Sequence, residues 1–455
     1  MSIKQKIFEG APAFVKNILV TAYNFRLKAW HGQKYHDSLV VYKNMFYATS
    51  YNDIQKIQEK RFLEFIHFVK EHNKFYKERL KNIEISSIKD LSKIPVLEKE
   101  DLRNSKIISK LDEKLVTNYT GGTTGKSLKT YYTINDVQER QGNLDFFRGM
   151  FGYTFGSRTA WFSGKKLISK KDEKKNTFWV KDYINNITYY STFHMKKDYV
   201  DYMVQNMNKD KPEYFVGFPS AIYAIAYRIK ETKIKMDFQL KAVFPTSEPL
   251  LDYQKIILEE VFGCPIPDQY ASSEGAPFVY ECPSGNLHYD MYSGILEKRY
   301  PQSKSNEVIV TAFPTHSMPL IRYAVGDGMK LDDIDRRCSC GSQMPLVEKI
   351  EGRKMTFVYS KERGVVGAGN ISNIVKYTPE IEKIQILQND KENILIKVVT
   401  NSDKHKNISS ILEEEMKNRL GENIQISFEF VDEIPNEKSG KFIMIKNTLS
   451  LSECI

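Results

Sequence analysis

The spacing of apolar residues predicts helices and strands in the first third of the chain. In residues 53–80 the apolar positions recur near every 3.6 residues between Lys and Glu, which predicts a helix. The residues of that face are Ile54, Ile57, Phe65, Phe68 and Val69. Residues 115–119 and 128–132 are β-rich runs on either side of a glycine-rich stretch, and they predict two strands.

The middle of the chain alternates between short apolar runs and helical patterns. Residues 214–218 precede a predicted helix at 220–230, and residues 242–244 precede a second predicted helix at 251–262. Strands that alternate with helices in this way are typical of α/β proteins with largely parallel sheets. The sequence therefore predicts an α/β layout for this part.

The C-terminal part has a different pattern. After residues 308–310 the predicted helices become rare, and a glycine break follows near residue 352. Beyond the break, one predicted helix lies among three predicted strands, at residues 384–387, 393–399, 408–420 (the helix) and 424–430. We predict an α/β fold with a large multi-layer N-terminal domain, residues 1–352, and a small α+β C-terminal lid domain, residues 353–455.

The charge balance argues against a dedicated nucleic-acid binder. The 455 residues include 67 Lys or Arg and 57 Asp or Glu, which gives a formal charge of +10. Nucleic-acid binders usually concentrate such a surplus in one stripe. Here the Lys clusters are short and mixed with acids, as in residues 170–175, which are typical of a solvated loop. Five cysteines are too few for a disulfide scaffold, so a cytoplasmic enzyme is expected.

Residues 11–30 are apolar but interrupted by Lys16, Asn17, Asn24, Arg26 and Lys28. The interruptions exclude a signal-peptide core and a membrane span in this segment. One predicted helical face carries Phe14, Ile18, Leu19, Ala22 and Phe25. One alternative for this face is weak contact with a membrane surface. The favoured interpretation is that it packs on the protein's own core.

A glycine- and threonine-rich loop is the strongest local signal for chemistry. Its residues are Thr120, Gly121, Gly122, Thr123, Thr124, Gly125, Lys126 and Ser127. Backbone N–H groups in such a loop form a nest for a phosphate, and the hydroxyls and the lysine add donors. The loop differs from the nucleotide triphosphatase motif because Thr120 stands at the first glycine position. A simple hairpin turn is the alternative, but the combination of residue types favours phosphate binding.

Four further motifs follow in chain order, at residues 268–275, 321–327, 351–353 and 436–441. Together with the loop they resemble the signatures of the adenylate-forming superfamily, which includes acyl-CoA synthetases and luciferase. The branch resembles phenylacetate-CoA ligase and its CapK-like capsular-polysaccharide relatives. The segments that carry this second resemblance are residues 94–99, 216–220, 319–323 and 338–341.

The resemblance implies an enzyme that uses ATP and Mg²⁺ to convert a small carboxylic acid to an acyl-adenylate. The acyl group would then pass to CoA, in an activity that serves surface-polysaccharide synthesis. Two alternatives stay open: transfer of an acyl or aminoacyl group to a sugar amine or hydroxyl, and a degenerate adenylate-binding assembly protein. No nucleic-acid partner is expected. The sequence leaves the acid and the oligomeric state open.

The resemblance also implies roles for single residues. The Thr120–Lys126 loop would hold the β- and γ-phosphates, and Glu274 would coordinate Mg²⁺ with the hydroxyl of Thr123 or Thr124. Lys441 would bridge the acyl carboxylate and the α-phosphate. The remaining nucleotide-binding residues would be Tyr270, Ser247 and Glu248 around adenine, Asp327 and Arg353 at the ribose, and Ser273, which keeps a motif hydroxyl.

Two smaller predictions concern histidines. His194 falls where many adenylate-forming enzymes carry a residue beside the acyl carboxylate, although a histidine among aromatic residues is more often simply packed. Cys282, His288, Cys338 and Cys340 have ligand types that suit tetrahedral Zn²⁺. Zinc-bearing relatives of phenylacetate-CoA ligase support a structural zinc site. The alternative is four unrelated reduced side chains.

Overall fold

The computed structural model describes most of the chain. The described residues are Phe8, 11–25, 30–48, 50–119, 128–165, 167–195, 197–299, 306–331, 337–352, 357–371, 374–375, Thr378, 380–400, 402–435, 443–449 and Cys454. None of the helices in these ranges has the length and apolar character needed to cross a bilayer.

The α-helices of the described residues are α1 (Ala13–Phe25), α2 (Gln33–Phe46), α3 (Tyr51–His72), α4 (Lys74–Arg79), α5 (Ile134–Gly149), α6 (Lys170–Glu173), α7 (Lys197–Asp210), α8 (Pro219–Thr232), α9 (Asp252–Phe262), α10 (Ala368–Ile371) and α11 (His405–Leu420). The predicted helix at 53–80 is confirmed as α3 and α4, with a break at Asn73. The Asn73 side chain accepts a hydrogen bond from the N–H of Tyr76 and donates one to the carbonyl of Ile107. It therefore begins a new helix instead of continuing the old one.

The strands are β1 (Val116–Tyr119), β2 (Lys129–Tyr132), β3 (Thr159–Ser163), β4 (Trp179–Asp182), β5 (Ile187–Ser191), β6 (Tyr214–Gly217), β7 (Ala242–Pro245), β8 (Gln269–Tyr270), β9 (Val279–Glu281), β10 (Leu287–Tyr289), β11 (Gly294–Lys298), β12 (Glu307–Ala312), β13 (Leu320–Leu331), β14 (Leu346–Gly352), β15 (Phe357–Ser360), β16 (Gly364–Gly367), β17 (Ile381–Gln388), β18 (Asn393–Thr400), β19 (Gln425–Phe430) and β20 (Ile445–Asn447).

A five-stranded sheet has the order β4-β5-β3-β6-β7, and its strands are parallel except for β4. The predicted alternation is confirmed, because α8 follows β6 and α9 follows β7. Every residue of β6 and β7 is buried, as expected for parallel strands covered on both faces. Gly217 has φ of 145°, and a Cβ there would lie 2.0 Å from the carbonyl oxygen of Phe162. Only glycine fits this point of the sheet.

A second sheet is antiparallel and has the order β11-β12-β13-β14-β10-β9-β8. It shares one hydrophobic core with α2 and α3, in which Phe46, Phe62 and Tyr323 are fully buried. The segment before residue 98 reaches this sheet. Leu97 forms a parallel bridge with Tyr323 on β13.

The C-terminal part folds around a core of its own. The sheet β19-β18-β17-β20 packs with α11, and its buried residues include Ile386, Ile396 and Leu412. The hairpin β15–β16 belongs to the same core through Val358 and Val366. The predicted α/β fold with a large N-terminal domain and a small C-terminal domain is confirmed. We call the C-terminal unit, from β15 to β20, the small domain.

The expectation that the apolar face of α1 packs on the core is wrong. Lys16 and Asn24 face inward instead and are 1% and 2% exposed. Lys16 forms an ion pair with Asp172, and Asn24 donates a hydrogen bond of 2.8 Å to Asp182. The apolar residues of α1 therefore face outward, because the helix is held by its polar side.

The interpretation of residues 170–175 as a solvated loop is also wrong in part. Residues Lys170–Glu173 form α6, and Asp172 is buried against Lys16. Burying that carboxylate is tolerated because a cation and the Ser169 side chain bind it.

Candidate functional site

The strands that flank the glycine-rich loop pair with each other. Both predicted strands are present, and Tyr119 on β1 lies opposite Lys129 on β2. The hydroxyl of Tyr132 donates a hydrogen bond of 2.6 Å to the carbonyl of Ser273. This contact brings the β1–β2 hairpin next to the 268–275 motif. The loop residues Thr120–Ser127 lie outside the described residues, as do Arg353 and Lys441.

Tyr270 and Asp327 come together although 57 residues separate them in the chain. The Tyr270 hydroxyl donates a hydrogen bond of 2.9 Å to the Asp327 carboxylate. Tyr270 is on β8 and is buried, whereas Asp327 is on β13 and remains partly accessible. The predicted adenine-side residue and the predicted ribose-side residue therefore lie in one place.

The 246–250 turn lies close to the same strand. The Gln269 side chain donates a hydrogen bond of 2.7 Å to the carbonyl of Pro245, at the end of β7. Ser247 is exposed and has a left-handed backbone with φ of 69°. Its position beside β8 is compatible with the predicted place next to adenine, and its role stays a prediction.

The Glu248 carboxyl group faces the small domain. One oxygen accepts a hydrogen bond of 3.3 Å from the N–H of Ser220, while the other oxygen is buried with no hydrogen-bond partner among the described residues. A Cβ on Gly367 would lie 2.0 Å from that second oxygen. Burial raises the pKa of Glu248 above its ordinary value.

Glu274 is buried beside a cation that the sequence analysis did not assign. The Lys99 ammonium lies 3.5 Å from the Glu274 carboxylate. Lys99 follows Leu97 by two residues. The bridge from Leu97 to Tyr323 on β13 therefore fixes the position of the backbone that carries Lys99. The sequence signal was the segment 94–99, which marked the family branch without pointing to a role for this lysine. A carboxylate such as that of Glu274 can bind a cation, as the predicted Mg²⁺ site requires. The other predicted ligands of that site, Thr123 and Thr124, lie outside the described residues.

His194 is buried in a polar cluster. Its Nδ1 lies 2.6 Å from the Ser191 hydroxyl, and its Nε2 lies 3.7 Å from the Glu173 carboxylate. Burial lowers the pKa of His194 to about 4, so the ring is neutral near pH 7. This environment is that of a packed, hydrogen-bonded histidine, and a contact with substrate stays a prediction.

The cluster around His194 joins the two domains. The Arg363 guanidinium of the small domain donates two hydrogen bonds, of 3.0 and 3.3 Å, to Glu173. Beside it, the Asn370 amide donates a hydrogen bond of 3.0 Å to the Thr192 hydroxyl. Contacts with His194 and Arg363 hold the pKa of Glu173 well below its ordinary value. The small domain is therefore docked through ionised and hydrogen-bonded groups.

The four predicted metal ligands form one cluster. All of their ligand atoms lie within 4.8 Å of one another. The Cys282 and Cys338 sulfurs are 3.6 Å apart, and the Cys340 sulfur is 3.4 Å from Nε2 of His288. Tetrahedral Zn²⁺ with Zn–S distances of about 2.3 Å places two sulfurs about 3.8 Å apart. The spacing fits zinc.

The surroundings of the cluster also suit a metal. Burial lowers the pKa of His288 to about 4, which keeps the ring neutral as a ligand must be. Its Nδ1 lies 3.2 Å from the carbonyl of Met344, which leaves Nε2 for the metal. Burial acts to raise the pKa of the Cys338 thiol. The hydrogen bond from the Cys340 N–H acts in the opposite direction, and the pKa of Cys338 is lowered overall. The donor set therefore fits a structural Zn²⁺.

Comparison with known proteins agrees with this architecture. The family model of the CapK C-terminal domain matches residues 358–448. The protein CapK of Staphylococcus aureus is 32% identical over 443 residues, which cover 96% of this chain and 97% of that protein. The chain belongs to the CapK family. The recognition of a CapK-like branch from the sequence motifs is confirmed.

Solved structures similar to this CapK family member are adenylate-forming ligases. A 2-hydroxyisobutyryl-CoA ligase in complex with its acyl-AMP and CoA matches with a TM-score of 0.60 at 16% identity, covering 90% of this chain and 93% of that one. The same ligase in its postadenylation state matches with a TM-score of 0.55, also at 16% identity, over 89% and 91% of the two chains. The likeness shows the adenylate-forming fold.

Proposed function

We propose that this CapK family member activates a carboxylic acid with ATP. A carboxylate oxygen attacks the α-phosphorus of ATP, the bond to the β-phosphate oxygen breaks, and pyrophosphate leaves. The product is an acyl-adenylate. In the second step the acceptor attacks the acyl carbon and AMP leaves. The acceptor we propose is the thiol of CoA, which loses its proton as the thioester forms.

The hydrogen bond between Tyr270 and Asp327 carries the proposal. An ionised carboxylate only accepts hydrogen bonds, which suits it to both hydroxyls of a ribose. The Tyr270 hydroxyl donates a hydrogen bond of 2.9 Å that orients the Asp327 carboxylate, and this partly accessible carboxylate would accept from the ribose hydroxyls. The Tyr270 ring then provides an apolar surface beside the sugar, where the adenine would lie.

We also propose which residues bind the phosphate groups of ATP, from their positions in the family motifs and from contacts among the described residues. The loop Thr120–Lys126 would hold the β- and γ-phosphates, and Lys441 would stabilise the charge that develops between the carboxylate and the α-phosphate. Glu274 would hold Mg²⁺, which neutralises phosphate charge during the transfer. Lys99 would contact the same phosphates, since its ammonium already lies beside Glu274. Arg353 would contact the ribose.

The choice of CoA rests on the similar ligase with CoA bound, and the surface-polysaccharide role rests on the CapK family. A sugar amine or hydroxyl is the competing acceptor. Mass spectrometry of products formed with and without CoA separates the two, because only one route gives a thioester. His194 is kept as a proposed residue beside the acyl carboxylate of the substrate.

Pyrophosphate exchange across a set of carboxylic acids tests the proposal. At least one acid should drive incorporation of labelled pyrophosphate into ATP. Asp327→Ala should reduce that exchange about a hundredfold, since it removes charged hydrogen bonds to substrate. Asp252→Ala is the matched control, because Asp252 is an exposed acid. Lys441→Ala should abolish exchange, and its normal activity in the cell would favour the assembly-protein alternative.

We also propose that Cys282, His288, Cys338 and Cys340 hold a structural Zn²⁺. The ion would join the β9–β10 hairpin to the segment before β14, and thereby fix one end of the seven-stranded sheet. We propose a domain division at residues 352 and 353, close to the end of β14. Cytoplasmic location is proposed because the substrate is ATP and the described cysteines are reduced.

A further inference from the structure

Helix α1 has its polar and apolar sides inverted relative to an ordinary surface helix. Its inward side carries Lys16 and Asn24, which bind buried acids of the large domain. Its outward side carries Phe14 and Ile18, which are 66% and 58% exposed. A surface helix normally buries its apolar stripe against the core. Among the described residues, the large domain therefore leaves Phe14 and Ile18 uncovered.

The turn between β4 and β5 extends the exposed stripe. The N–H of Tyr183 donates a hydrogen bond of 3.1 Å to the Thr21 hydroxyl, which ties the turn to α1. Tyr183 and Ile184 are exposed. We define the α1 face as the apolar surface formed by Phe14, Ile18, Ala22, Phe25, Tyr183 and Ile184. It lines a shallow groove between the helix and the turn.

We propose that the α1 face docks the protein on the surface of an anionic phospholipid bilayer. Phe14, Ile18 and Ile184 would enter the boundary between headgroups and acyl chains, as the apolar face of an interfacial helix does. The helix would lie on the membrane and not cross it, because its 13 residues span roughly 20 Å. The hydrocarbon core is about 30 Å thick.

Charge supports a lipid partner. The first 31 residues of the sequence contain five Lys or Arg and a single acid, Glu9. Lys16 is already neutralised by Asp172, so Lys4, Lys6, Arg26 and Lys28 make up the remaining surplus beside the α1 segment. Basic residues that flank an apolar helical face attract anionic headgroups.

The size of the face argues against a second copy of the chain. One face of a helix about 20 Å long and 10 Å wide covers roughly 200 Å², whereas a stable interface buries about 800 Å² on each partner. On a lipid surface, electrostatic attraction to anionic headgroups adds to the apolar area that is buried, so a small face with basic residues nearby in the sequence is enough for binding. The hydrogen bonds on the inward side also fix the face outward before any partner arrives.

Flotation of the full-length protein with vesicles tests the proposal. Wild-type protein should float with vesicles that contain phosphatidylglycerol and much less with pure phosphatidylcholine, and salt should weaken its binding. Ile18→Asp should reduce binding at least about tenfold, because an apolar side chain leaves the interface and a like charge enters it. Ile256→Asp is the matched control, since Ile256 is 62% exposed on α9. It should bind as wild type does.

Several results would overturn the proposal. Wild-type protein that stays with the buffer, equal binding to both vesicle types, or an equal loss in Ile256→Asp would each do so. A wild-type dimer that Ile18→Asp dissociates, with no vesicle binding, would assign the face to a second copy instead. Both variants change exposed positions, and an unchanged thermal midpoint would verify that they fold.

Discussion

Arg363 and Glu173 form a two-pronged ion pair between the small and the large domain, with hydrogen bonds of 3.0 and 3.3 Å. Both side chains are largely shielded from solvent. Domain movement gates many enzymes of several domains. Any movement of the small domain away from this position must break the pair and leave both charges to be solvated again.

Arg363→Ala should therefore shift the protein toward an undocked small domain. Loss of a charged hydrogen-bonded pair costs about 2 kcal/mol, which is roughly a 30-fold change in the docking equilibrium. Small-angle scattering should report a larger radius of gyration. Lys170→Ala provides the control, because the pair of Lys170 with Glu422 is exposed and contributes little. An unchanged radius in Arg363→Ala would show that other contacts decide the docking.

Gly367→Ala should also weaken docking, because the buried Glu248 carboxyl group would have to shift. The added Cβ would lie 2.0 Å from the buried oxygen of Glu248, and real carbon atoms do not approach so closely. The double variant Gly367→Ala with Glu248→Ala should dock again, since it removes the clashing carboxyl group. Gly149→Ala is the control, because a Cβ there has no neighbour within 4 Å. Small-angle scattering should show a larger radius of gyration for Gly367→Ala than for the double variant and for Gly149→Ala.

The stability of the protein should depend on pH through His194. Burial lowers the pKa of His194 from 6.5 to about 4, so only the unfolded state binds a proton between these values. The contribution is complete above pH 6.5 and is lost as the pH falls toward 4. Its size is roughly 3 kcal/mol. Urea unfolding of His194→Asn at several pH values should show a flatter profile than wild type.

His67→Asn is the comparison for that experiment, because the His67 side chain is 84% exposed. Its pH profile should follow that of the wild type. If His194→Asn shows the full wild-type slope between pH 6.5 and 4, then His194 does not carry the dependence.

Removal of zinc should destabilise the protein. One equivalent of Zn²⁺ should be found by mass spectrometry, and Cys338→Ser should contain much less. With zinc at about a hundred times its Kd, its loss costs about 3 kcal/mol. A chelator should lower the thermal midpoint of wild type and leave that of Cys338→Ser unchanged. Cys264→Ser keeps all four ligands and should retain the metal; wild-type protein without metal would refute the site.

The elements that the sequence predicted well have strong local signals. Strands β6 and β7 are continuous apolar runs, and their helices follow within a few residues. The seven-stranded sheet lacked such a signal. The burial of β13 does not alternate along its 12 residues, because both its faces and its ends meet different partners. Its bridge to Leu97 joins residues that are more than two hundred positions apart.

The candidate site also contains some residues that the sequence pointed to and some contacts that only the structure reveals. The resemblance to adenylate-forming motifs singled out Tyr270 and Asp327, and ligand type singled out the four Cys and His residues; their roles stay predictions. The contacts of Lys99 and Glu173 depend on tertiary packing. Glu173 lies in a run of charges that is typical of a solvated segment, yet it binds Arg363, which is 190 residues away. The pattern of neighbouring residues in the sequence cannot predict a partner so far away in the chain.

The inverted polarity of α1 also makes this helix indispensable to the fold. A shortened chain that begins at residue 30 would lack the ammonium that binds Asp172 and the amide that binds Asp182. The buried carboxylates on α6 and β4 would then lose these two partners and keep the hydrogen bonds from Ser169 to Asp172 and from Asn185 to Asp182. Trimming the N-terminus to improve handling of the protein should therefore destabilise the large domain, even if every residue proposed to bind nucleotide were kept.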